Sequence, residues 1–169
     1  DNCNAIIETA TNELVASCKN TTIPSTVTSI GYSAFASCTS QEFTSIVIPE
    51  GVQIIKSGAF DWCLYLKEII LPSSLKDIGE TAFRDCQSLE KIVLPENLEN
   101  IGSLAFGNCH NLKKVVSHNP VPPTIKDNSF FYSYIDTLYV PYNAKSKYTN
   151  AQYWKNFKNI VELPPYDFE

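Results

Sequence analysis

The chain has 169 residues, of which 44% are apolar and 18% charged, with a formal net charge of −5. That balance belongs to a globular chain and excludes a disordered one, and the acidic surplus offers nucleic acid no electrostatic attraction. No apolar run reaches the length of about 18 residues that a membrane-spanning helix needs.

The chain opens "DNCNAIIE" and contains no methionine, not even an initiator. It reads as a trimmed or mature product, so a missing signal segment carries no information on secretion. Residues 1–22 read as an N-terminal cap, in which "CNAIIETATNELVASC" predicts two short strands around a turn near "TATN". In a hairpin centred on Ala10 and Thr11, Cys3 and Cys18 face each other as a hydrogen-bonded, wider pair. They form either a disulfide or two thiols packed within the cap.

A frame recurs over residues 23–116. Pro24, Pro49, Pro72 and Pro95 each start it. Val27, Val52, Leu75 and Leu98 follow, then Ile30, Ile55, Ile78 and Ile101. Next come the pairs Ala34-Phe35, Ala59-Phe60, Ala82-Phe83 and Ala105-Phe106, and Cys38, Cys63, Cys86 and Cys109. Ile46, Ile69, Ile92 and Val115 close each unit. The first unit carries two extra residues within "TSQEF", and the others keep a step of 23. A divergent fifth unit, 117–140, keeps Ile125 and Phe130 but sets Ser129 and Ser133 in the Ala and Cys columns.

A fixed period of this length predicts a leucine-rich repeat solenoid, in which each unit is too small to bury its own apolar face and stacking creates a continuous core. "LKEIILP" and "LEKIVLP" alternate as strands, closed by prolines where a ladder N–H can be lost. Successive coils should stack them about 4.8 Å apart in one parallel β-sheet. "GETAFRDC" is too short for a free helix and predicts a short helical or 3₁₀ turn opposite the sheet, so the coil is of α/β type. Gly31, Gly79 and Gly102 share a column that Lys56 also fills, so a left-handed backbone there is helpful at most. Residues 141–163 predict a C-terminal cap, with a helix near 144–152 and a last strand. Tyr148, Trp154 and Phe157 cover the final coil, and 164–169 form a tail or linker.

The regular cysteines invite chemistry, but the geometry argues against it. Thiols in one solenoid column point the same way about 4.8 Å apart and cannot converge on one metal ion. Ladder disulfides need Cβ atoms closer than parallel side chains allow. His110 follows Cys109 directly, so the two side chains diverge, and a buried column lacks thiolate character. Each cysteine therefore reads as a small buried hydrophobe behind its Phe. With two histidines in the chain, no G-x-S-x-G, no H-E-x-x-H and no phosphate-cradling loop, no catalytic set, metal site or cofactor emerges.

Strand alternation assigns an outward face. One outward column is Ser45, Glu68, Lys91, Lys114 and Thr137; the next is Val47, Ile70, Val93, Val116 and Tyr139. The second forms an apolar ribbon edged by charge, either ordinary β-branched strand filling or a partner site. The candidate binding residues are thus Val47, Glu68, Ile70, Lys91, Val93, Lys114, Val116 and Tyr139. Opposite charges, such as Glu68 beside Lys91, suit cross-strand pairing, whereas Lys91 beside Lys114 suits an acidic partner. A later aromatic cluster, Phe131, Tyr132, Tyr134, Tyr139, Tyr142 and Tyr148, serves either cap packing or surface recognition.

The frame "LPxxLxxIGxxAFxxC", the opening "NCNAIIETATNELVASCKNTTIP" and the ending "YVPYNAKSKYTNAQYWKNFKNIVE" together resemble the BspA-like class of bacterial leucine-rich repeats, over residues 2 to 163. The resemblance implies a curved right-handed solenoid without cofactor or catalytic residues. It also implies a secreted or surface-displayed protein that adheres to a host or bacterial surface protein or glycan. The alternative is a structural spacer within a larger surface protein. Both ends look capped, so a monomer is expected.

Overall fold

A computed structural model of the chain describes residues 5–17 and 22–165. The elements run in chain order. A hairpin of β1 (Ile6–Glu8) and β2 (Glu13–Ala16) pairs antiparallel around residues 9–12. Each coil then adds one two-residue strand and one longer strand. These are β3 (Ser29–Ile30) with β4 (Ser45–Val47), β5 (Ile54–Ile55) with β6 (Glu68–Ile70), β7 (Asp77–Ile78) with β8 (Lys91–Leu94), and β9 (Asn100–Ile101) with β10 (Lys114–Ser117). The fifth coil supplies β11 (Thr137–Val140), followed by α1 (Lys145–Asn150), a 3₁₀ turn at Trp154–Asn156, and β12 (Ile160–Glu162).

The solenoid anticipated from the period is present, with a second wall beside the expected sheet. The short strands stack in parallel as β2-β3-β5-β7-β9, closed at its outer edge by β1. Two residues per coil are too few for alternation to register in a sequence. The longer strands build the expected face in two pieces, β4-β6 and β8-β10-β11-β12. No ladder joins β6 to β8.

Between the walls lies the core. Val52, Leu75, Ile55, Leu66, Leu89 and Leu112 are fully buried. Phe35, Phe60, Phe83, Phe106 and Phe130 stack face to face, with centroids 4.7 to 5.2 Å apart and ring planes within 13°. That spacing is close to the inter-strand distance, so the coil repeat itself sets the ring geometry. Phe43 extends the stack at one end; Trp154 and Phe157 end it at the other, Phe157 edge-on to Phe130 at 5.4 Å.

The segments around each Phe are overlapping turns rather than a regular helix. In "GETAFRDC", Ala82, Arg84 and Cys86 donate their N–H groups to carbonyls three residues back. Two columns there hold positive φ. Ser33, Gly58, Thr81 and Leu104 form one, and Ser37, Trp62, Asp85, Asn108 and Tyr132 the other. Left-handed residues at both corners prevent a helix from continuing. Gly31, Gly79 and Gly102 serve a different end. They lie outside the left-handed region, and a Cβ on Gly102 would sit 2.6 Å from the Glu80 nitrogen. Their column is one of close coil-to-coil approach.

The C-terminal cap buries aromatic bodies and satisfies their polar tips. The Tyr148 hydroxyl donates to the Asn119 carbonyl at 2.9 Å and lies 2.7 Å from the Ser117 hydroxyl. Trp154 Nε1 donates to the Pro123 carbonyl at 2.7 Å. The proline-rich start of the fifth coil thus supplies the acceptors that let these large side chains be buried without losing a hydrogen bond.

Candidate binding groove on the sheet face

Alternation along the longer strands turns Ile69 and Ile92 inward and leaves Glu68, Ile70 and Lys91 exposed. The open break between β6 and β8 runs between these side chains. Over it lies a groove of about 1100 Å³. Ile70, 51% exposed, and half-buried Val93 form its apolar part, while Glu68 and Lys91 stand at one side. Glu96 and His118 stand at the proline side, and Tyr142 and Pro165 close the far end. The volume lies just above that of ordinary ligand clefts, about 300–1,000 Å³, and the open groove suits an extended chain.

Four of the candidate residues, Glu68, Ile70, Lys91 and Val93, therefore meet in one groove. The other four lie outside it. Val47 is 60% exposed on β4. Lys114 Nζ lies 4.4 Å from the centre of the half-buried Tyr139 ring. Val116 keeps only 7% exposure, although alternation assigned it outward, so the open apolar ribbon is Val47, Ile70 and Val93. Sequence reasoning missed His118 and Pro165, and singled out Tyr142 only within the late aromatic cluster, because all three come from the irregular fifth coil and the cap. Of the aromatic cluster, Tyr148 is core, Tyr142 borders the groove, and Phe131, Tyr132 and Tyr134 are exposed.

Glu68 and Lys91 form no ion pair in the structure, and no ladder holds their strands in register. Exposed pairs gain little in water against the entropy of holding two long chains. Lys91 and Lys114 do sit opposite each other in the β8–β10 register. Burial, and then the Lys91 charge, hold the His118 pKa below its ordinary value, with Glu96 opposing.

The cysteine column lies inside. Cys63, Cys86 and Cys109 are buried, Cys38 is half-buried, and all four are free thiols. Each buried sulfur donates to the Phe carbonyl of the preceding coil, Cys63 to Phe35, Cys86 to Phe60 and Cys109 to Phe83, at 3.1 to 3.3 Å. The expected hydrophobe is thus also a donor, and Ser133 makes the same bond to Phe106. Burial raises the Cys86 pKa, and that of Cys109 to about 12. Among the described residues, no cluster of His, Cys, Asp and Glu is arranged to hold a metal ion. Cys3 and Cys18 lie outside the described residues.

Stacked coils, two parallel walls and a groove on the wider wall define a repeat scaffold that carries its variable residues on a regular surface. The chain belongs to the BspA-type leucine-rich repeat family, whose model matches in six copies over residues 5–121 and 39–160. Two solved structures share the fold. A leucine-rich repeat protein of T. pallidum has a TM-score of 0.72 at 22% identity, covering 95% of this chain and 79% of its own. The pneumococcal vaccine antigen PcpA has a TM-score of 0.73 at 18% identity, covering 95% of this chain and 46% of its own. No curated protein matches the chain.

Proposed function

We propose that the protein is a non-catalytic binding module displayed on or released from a bacterial surface, and that it takes a protein partner along the groove over β6 and β8. The observation that carries this reading is the groove itself, where Ile70 and Val93 lie exposed or half-exposed between charged borders. A contiguous apolar strip on an otherwise polar face is the usual mark of a protein contact. Family membership supports the surface location and the scaffold role. The buried, un-ionised thiols support the absence of catalysis.

A second reading is a spacer in a larger surface protein, favoured by one observation: the chain spans 46% of the pneumococcal antigen. One experiment separates the two. The purified protein is screened against host matrix proteins and mucins, and any interaction is re-measured with Ile70→Asp and Val93→Asp. The groove reading expects binding that falls at least about tenfold in each variant while the unfolding midpoint stays put. Binding that survives both substitutions removes the groove, and a screen with no ligand favours the spacer.

A further inference from the structure

At the end of the Phe stack, on another part of the molecule from the groove, a second cleft of about 500 Å³ opens between the fifth coil and the C-terminal cap. Its floor is aromatic, from the half-buried Phe130, Tyr153 and Phe157. Phe131, Tyr132 and Tyr134 stand at its mouth, 50%, 59% and 60% exposed, with the Phe131 and Tyr132 rings 4.1 Å apart. Together these exposed rings form an apolar patch outside the core, whose stack already ends on Trp154 and Phe157.

The polar groups of this cleft are the second observation. Asp127, Asp136, Lys126 and Lys158 line it, and none of their side chains makes a hydrogen bond or ion pair in the structure. The hydroxyls of Tyr132 and Tyr134 are also without a partner. Some charged groups elsewhere on the solenoid surface are engaged, as where Arg84 holds Asp61 through two bonds of 2.9 and 2.7 Å and Glu50 accepts from Ser73, while others such as Glu68 and Lys91 are not. Tyr132 and Tyr153 are moreover bulky residues held at φ 55° and 66°, where the backbone is strained for such side chains. In the Tyr132 column, another coil also places a bulky ring, Trp62, whereas three place Ser37, Asp85 and Asn108.

From aromatic faces, unengaged donors and acceptors, and two carboxylates balanced by two ammonium groups, we infer that this cleft binds a neutral glycan. A pyranose ring presents an apolar C–H face to Tyr132 and Tyr134 and equatorial hydroxyls to the free carboxylates and lysines. The balanced charge disfavours an anionic or cationic ligand, and the polar rim disfavours a purely apolar one. Tyr supplies large contact area with little conformational entropy to lose. This site is independent of the groove.

The test is saturation-transfer NMR with the full chain against neutral oligosaccharides: maltohexaose, cellohexaose, N-acetylchitohexaose, xylohexaose and mannohexaose. At least one should saturate, its affinity should fall about tenfold or more in Tyr132→Ala/Tyr134→Ala, and it should be unchanged in Ile70→Asp. Asp127→Asn, which keeps every ring, should weaken it as well. The inference is overturned if no oligosaccharide saturates, if the double variant binds as the parent does, if Ile70→Asp abolishes binding, or if only peptides occupy the cleft.

Discussion

The Ser133 hydroxyl donates to the Phe106 carbonyl and accepts the Cys109 N–H at 3.1 Å. One coil earlier, Cys109 Sγ donates to the Phe83 carbonyl at 3.1 Å. Cys and Ser share a column because the column requires a small donor behind each Phe. Ser133→Ala strands a backbone N–H and weakens the bonding of a carbonyl, and should cost about 1–3 kcal/mol. Ser133→Cys should cost less. Urea unfolding of the two variants measures the difference, and equal midpoints would reject the donor role.

Gly102→Ala places a methyl 2.6 Å from the Glu80 nitrogen and 2.7 Å from the Gly79 carbonyl carbon. Backbone cannot yield as a flexible side chain would, so the two coils must part. A loss of about 1–3 kcal/mol is expected, as for overpacking in a core. Lys56 already carries a Cβ in the same column, and its side chain runs out to Glu13 and lies over Tyr32, so truncating it adds no atom between the coils. Lys56→Ala should therefore be milder than Gly102→Ala in thermal melts; the reverse order would contradict the close-approach account.

The three buried column thiols should be inert in the native protein. In a chain carrying Cys3→Ser and Cys18→Ser, a thiol reagent should label Cys38 first, because it alone is half-buried. Cys63, Cys86 and Cys109 should label only at the rate of unfolding, since modification needs the thiolate and access. Mass-resolved labelling across a urea series decides this. Native-state labelling of Cys86 or Cys109 without denaturant dependence would place the column in an open site.

His118 should give stability a pH slope. Its folded pKa lies below the ordinary value of 6.5, so the unfolded chain binds the proton more readily than the native state between the two values. The contribution is fully present above the unfolded pKa and is lost as pH falls through that window. Melts at about pH 7.5 and about pH 5.5 should show a larger drop for the parent than for His118→Gln. Parallel drops would show that carboxylates elsewhere account for the whole acid sensitivity.

The repeating columns were legible because seven side-chain positions return in step, and a buried position tolerates few residue types. Ile55 and Ile78 were read as core but not as a second wall, since two-residue strands leave no alternation. The hydrogen bond from Cys109 was hidden because cysteine reads as a hydrophobe, although Ser133 in its column already hinted at a donor. In the groove, Ile70 and Val93 followed from alternation. His118, Tyr142 and Pro165 did not, because irregular segments bring them there and no period predicts where such segments fold back.

The missing ladder between β6 and β8 divides the labour of holding coils together. On that side no strand ladder spans the junction, which keeps only the backbone bond from the Ser88 N–H to the Leu64 carbonyl, 3.2 Å, ahead of the strands, while β5-β7-β9 and the Phe60–Phe83 contact pass across it unbroken. The array is therefore a book with its spine on the narrow wall. Widening the gap between β6 and β8 to admit a guest tears no ladder hydrogen bond, and amide exchange at Lys91 and Val93 should report that opening well before β8 and β10 separate.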